Sequence, residues 1–76
     1  MMKSASESIV VLFGLNVRRL RQQLGLSQEG LGVKAGLHRT YIGAVERGEK
    51  SVTIVTAAKI ADALEVHVAD LLEPHA

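Results

Sequence analysis

Apolar residues recur at steps of three and four along most of this chain, the spacing of one face of a helix. In the first such run Ile9 or Val10, Phe13, Val17, Leu20 and Leu24 share a side. Ser4, Ser6 or Ser8 can cap its start, and Gly25 ends it. Ser27 is placed to cap a second helix, Gln28 to Ala35, with Leu31 and Ala35 inward. Its capping box is incomplete, because Gly30 stands where a Glu would reach back. Gly36 suits a left-handed C-cap and opens a tight turn through Leu37. A third helix, entered at His38 and closed by Gly48, turns Ile42 and Val45 inward. The loop Glu49-Lys50-Ser51-Val52 leads to Thr53, the N-cap of a fourth helix that buries Ile54, Ala57, Ile60, Ala61 and Leu64. A last short turn, about Val68 to Leu72, ends before Pro74. Strand alternation, internal repeats and low-complexity linkers are absent from the pattern. It predicts an all-α fold: five short helices in one compact bundle, a single domain over residues 1–76.

Composition narrows what such a bundle can do. Phe13 and Tyr41 are the only aromatics, so the core must be built from Leu, Val, Ile and Ala. Without Cys, disulfides and thiolate metal sites are excluded. His38, His67 and His75 are not spaced as ligands on one helix face, so neither a metal nor a cofactor is expected. Acids and hydroxyls are not arranged around any pocket that so small a core could host, and an enzyme is not expected either. The longest apolar run, Ile9 to Leu15, is seven residues, far short of the roughly 20 that span a bilayer. With no cleavage pattern after it, the expectation is a cytoplasmic protein with no membrane partner.

The charge is small in sum, +1, but unevenly placed. Arg18 to Lys50 carries seven Lys and Arg against three acids, whereas Ser51 to the end carries one Lys against four acids. A basic centre beside an acidic tail segment fits one face for a polyanion and another turned away from it.

The junction of the second and third helices sharpens this. Two short helices joined by a Gly-containing turn of about three residues form a helix-turn-helix, here about residues 28–47. Gly32, Gly36, Ile42 and Val45, at positions 5, 9, 15 and 18 counted from Gln28, meet its steric requirements together. The third helix, "HRTYIGAVERG", is polar at its start and then nearly bare on its outer side, with Gly43 and Ala44. Gly inside a helix costs about 1 kcal/mol relative to Ala, so something is expected to approach that side closely.

The stretch "LRQQLGLSQEGLGVKAGLHRTYIGAVERGEKSVTIVTAAKIADAL" resembles the phage repressor and Cro type of helix-turn-helix domain, the xenobiotic-response-element family. The likeness runs from about Phe13 to Leu72, with "LSQEGL", "AG", "YIGAVERG" and "KIADAL" in register. "RTYIGAVERGEKSVTI" is similar to restriction–modification controller proteins, wording that many unrelated repressors share. The resemblance implies a lambda-repressor-like fold and double-stranded DNA as partner. Gly30 and Gly32 depart from it by weakening the second helix, and Ala44 stands where several relatives carry a long base-reading side chain.

A recognition helix presents its N-terminal residues to base edges in the major groove. On this reading Arg39, Thr40, Ala44 and Gly43 face the bases, with Arg39 able to take guanine O6 and N7 together. Gln28, Tyr41, Arg47, Lys50, Ser51 and the cap residue His38 are the expected phosphate contacts. Arg18 or Arg19 could also reach a phosphate, or simply be solvated. The resemblance and the helix geometry agree on an ion pair between Arg21 and Glu46. The likeness also puts Glu29 where some relatives touch RNA polymerase. One helix-turn-helix reads only a few base pairs, so a homodimer on a pseudo-palindromic operator is expected. Some of Val66, Val68, Leu71 and Leu72, which exceed what a short final turn buries, are expected to form its interface with part of the fourth helix. The rival reading is an antitoxin or protein-interaction module of the same fold; loss of the basic loop would favour it, and Arg39, Arg47 and Lys50 are all present.

Overall fold

The computed structural model describes residues 5–75, with side chains from Ser8 onward. It contains α1 (Ala5–Gln23), α2 (Gln28–Ala35), α3 (Arg39–Glu46), α4 (Ile54–Leu64) and α5 (Val68–Leu71), and no strand among the described residues. The boundaries follow local chemistry. Ser27 Oγ accepts the Gly30 N–H at 2.8 Å and Thr53 Oγ accepts the Thr56 N–H at 3.0 Å, each satisfying an amide that has no partner inside the helix. Gly36 ends α2 at φ 71°, where its N–H and that of Leu37 close back onto the helix.

Packing follows the apolar stripes. Val17, Leu31, Ile42, Val45, Ile60 and Leu71 are completely buried, with Phe13, Ala57, Ala61 and Leu64 around them. α3 lies against both α1 and α2, α4 closes the far side of α2, and α5 fits between α1 and α4. Asn16, also buried, donates its side-chain amide to the carbonyls of Leu71 (3.0 Å) and Glu73 (2.8 Å). That polar clamp ties the C-terminal segment to α1 and is absent from the sequence-based core.

Four expectations change. α1 already starts at Ala5, so Ser6 and Ser8 lie within the helix and are not caps; Ser4 lies outside the described residues. Leu24 falls just past α1 and is 43% exposed, because the chain turns away from the core at Gly25. Ile54 is 86% exposed although its spacing matches the buried stripe of α4; as the first helical residue it overhangs the edge of the core. Leu71, expected at a dimer interface, is completely buried inside the protomer.

Candidate nucleic-acid interface

The turn between α2 and α3 is held by backbone contact. The Leu37 N–H donates to the Gly32 carbonyl at 2.8 Å, and a Cβ on Gly32 would lie 2.4 Å from the Leu37 carbonyl oxygen. Only a residue without a side chain fits there. The chain then enters α3 through His38, whose Nδ1 accepts the Thr40 N–H at 3.1 Å. His38, Arg39 and Thr40 are exposed on the leading turn of α3, while Tyr41 is half-buried against the core. Beyond the C-terminus of α3, Arg47, Glu49, Lys50 and Ser51 are exposed as well. Two exposed polar stretches therefore flank the helix, one before it and one after it.

Carboxylates temper both stretches. Arg39 Nη1 lies 3.5 Å from Glu29 Oε2. Arg47 grips Glu49 through Nε and Nη2 at 3.0 and 3.2 Å. This hydrogen bonding holds the Glu49 carboxyl below its usual range and raises Arg47 above its own. The pair is thus formed at neutral pH and is lost as acid protonates Glu49 below that range. Both groups are in water, so the consequence is for the availability of Arg47 and not for stability.

The outer side of α3 is not bare. Gly43 and Ala44 are both buried, Ala44 keeping 9% of its surface. A Cβ on Gly43 would come within 3.1 Å of Arg47 Nη1 and 3.4 Å of Gln28 Oε1, so two side chains occupy the space that the sequence left open. The helical wheel divided α3 into an inner and an outer half, whereas α1 and α2 cover it from two directions. Exposure of Gly43 and Ala44 as a reading face is therefore corrected. Gln28 also differs from a free phosphate donor: its Nε2 donates to Glu46 Oε1 at 3.1 Å.

Glu46 is the hub of the site. Arg21 Nε and Nη2 meet its two oxygens at 2.6 and 3.0 Å, and Arg21 Nη1 reaches the Leu26 carbonyl at 2.8 Å. The side chains of Arg21 and Glu46 are 11% and 3% exposed. The hydrogen bond to Glu46 raises Arg21 further above its ordinary value, against the opposing effect of burial. This cluster links α1, the α1–α2 turn, α2 and the last residue of α3.

Comparison with known proteins decides what the geometry belongs to. The helix-turn-helix family model matches residues 17–71. The chain belongs to the helix-turn-helix family. It is 53% identical to the control protein C.SmaI of Serratia marcescens over 57 residues, 75% of this chain and 68% of that one. With the control protein C.BamHI of Bacillus amyloliquefaciens the figures are 42% over 69 residues, 90% and 85%. The crystal structure of the restriction–modification controller protein C.AhdI from Aeromonas hydrophila superposes with a TM-score of 0.81 at 44% identity, covering 84% of this chain and 97% of that one. This member of the family is a DNA-binding transcriptional regulator.

Proposed function

We propose that this regulator binds a pseudo-palindromic operator as a homodimer and controls a restriction–modification system. The observation that carries the DNA-reading part is the exposed leading turn of α3, with Lys50 and Ser51 exposed beyond its far end. In this reading Arg39 and Thr40 meet base edges, and His38, Tyr41, Arg47, Lys50 and Ser51 hold phosphates on either side. Gln28 keeps one amide hydrogen for a phosphate while the other serves Glu46. Gly43 and Ala44 define the surface beneath these contacts without reading bases themselves. Support for the controller role comes from the named likeness to C.SmaI, C.BamHI and C.AhdI.

The homodimer is supported by an apolar groove of about 320 Å³ between α1, the loop before α4, and α5. Ile9, Phe13, Val52, Ile54, Val68 and Leu72 line it. Ile54 and Leu72 at its rim are also exposed, as is neighbouring Val55. One patch thus offers both projecting side chains and a recess, which suits a two-fold contact with a second copy. Of the C-terminal residues expected at the interface, Val68 and Leu72 line this groove, while half-buried Val66 packs on the core. Glu29, exposed on α2 near Val33, is the side chain for contact with RNA polymerase. The exposed Arg39, Arg47 and Lys50 favour DNA over an antitoxin role.

Selection of bound sites from random DNA tests the reading. The expected result is a pseudo-palindrome with half-sites about one helical turn apart. Enrichment of a lone half-site would overturn the dimer, and no enrichment would overturn sequence reading.

A further inference from the structure

Arg39 has two competing uses. In the structure its guanidinium is drawn back toward α2, 3.5 Å from Glu29, and both side chains are largely in water. Reading a guanine requires the same group to extend forward into the groove. A carboxylate beside it there would face base acceptors and phosphates, all of which repel it. Because Glu29 holds the guanidinium back over α2, the pair seen in the structure opens when the arginine extends to read.

We propose that Glu29 is a latch on Arg39, setting operator affinity without touching a base. The inference rests on Arg39 being the guanine contact. On the operator, a bidentate guanine contact outcompetes an exposed ion pair, so Arg39 leaves Glu29 and the whole cost of opening is felt. Random DNA offers a guanine at that place only in some registers, and in the others Arg39 stays with Glu29. Removing the carboxylate therefore strengthens operator binding more than random-sequence binding. The latch raises the threshold for occupying the operator and does not sharpen discrimination.

Glu49 supplies the contrast. Its partner Arg47 follows α3 and meets phosphate, which every duplex presents. Neutralising Glu49 strengthens binding to all DNA alike, as does any general loss of negative charge near the interface.

Competition fluorescence anisotropy at one salt concentration separates these effects. The probes are a duplex selected from random DNA by the wild-type protein and a scrambled duplex of equal length. Glu29→Gln is expected to tighten the selected duplex by about two- to fivefold, the range an exposed ion pair allows, and the scrambled duplex by less. Glu29→Asp keeps the charge but shortens the reach, so it should tighten the selected duplex in the same direction. Glu49→Gln should shift both duplexes equally. A wild type that discriminates, with a Glu29→Gln ratio equal to that of wild type, overturns the latch alone. A Glu29→Asp variant identical to wild type overturns it too, by leaving only a charge effect. A wild type that binds both duplexes equally overturns base reading, and the latch with it.

Discussion

Glu46 shows how a single side chain can hold α3 in place against its neighbours. Its carboxylate accepts from Arg21 twice and from Gln28 once, so three helices meet at one buried charge. Such a pair is not automatically a net gain, since both ions leave water to form it. Removing one partner is a different matter. In Glu46→Ala the Arg21 guanidinium, 11% exposed, would be stranded without its counter-charge, at a cost of roughly 3 kcal/mol. Thermal unfolding should show a fall in melting temperature of more than about 10 °C for a domain of this size. An unchanged melting temperature would mean that the cluster is structurally idle. This pairing was legible in the sequence, because the family resemblance implies it and both residues sit at the edges of apolar stripes. The third member, Gln28, was not. An exposed-looking amide at a helix start reads as a phosphate donor until the distance to α3 is known.

Element docking depends on two glycines that behave differently from their neighbour Gly30. A Cβ on Gly14 would lie 2.2 Å from the Val45 carbonyl oxygen and 3.0 Å from that of Glu46. Backbone of α1 thus rests directly on the last turn of α3. Gly32 makes the equivalent approach to the α2–α3 turn. Gly30 meets only the Ser27 hydroxyl at 3.2 Å and Leu26 Cδ2 at 3.6 Å, both parts of side chains. Alanine at either of the first two positions should therefore destabilise by about 1–3 kcal/mol through overpacking, and Gly14→Ala should weaken DNA binding as α3 is displaced. Gly30→Ala should stabilise by up to about 1 kcal/mol from helix propensity. Denaturant unfolding of the three variants checks the contrast, and a stabilising Gly14→Ala would refute the close α1–α3 contact. Of these positions Gly32 was readable, since its place in the helix-turn-helix spacing demands a small residue. Gly14 was hidden, because its partner lies 31 residues away and nothing local marks it. Boundaries were readable for the opposite reason: caps such as Ser27, Gly36 and Thr53 act within four residues.

At the scale of the whole molecule, the apolar groove and the proposed DNA contacts share a loop. Lys50 and Ser51, proposed to hold phosphate, also line the groove with Val52 and Ile54. A second copy seated there would cover the apolar rim and brace the loop that carries these residues. Periodicity alone put Ile54 in the core, since it counts spacing and not where a helix overhangs the protein that supports it. Its actual exposure, 86%, makes it the cleanest probe of assembly. Ile54→Asp should leave the protomer's own packing intact, because almost none of the side chain is buried within it. Placed in an apolar interface, however, the carboxylate would lose its hydration without gaining a partner. The variant should therefore sediment as a monomer at tens of micromolar, where the wild type is expected to be a dimer. The wild-type melting temperature should rise with protein concentration and that of the variant should not, because association stabilises only the species that associates. Operator binding should weaken in parallel, since a monomer engages one half-site at a time. A variant that still sediments as a dimer and keeps wild-type affinity would place the interface on another face of the bundle.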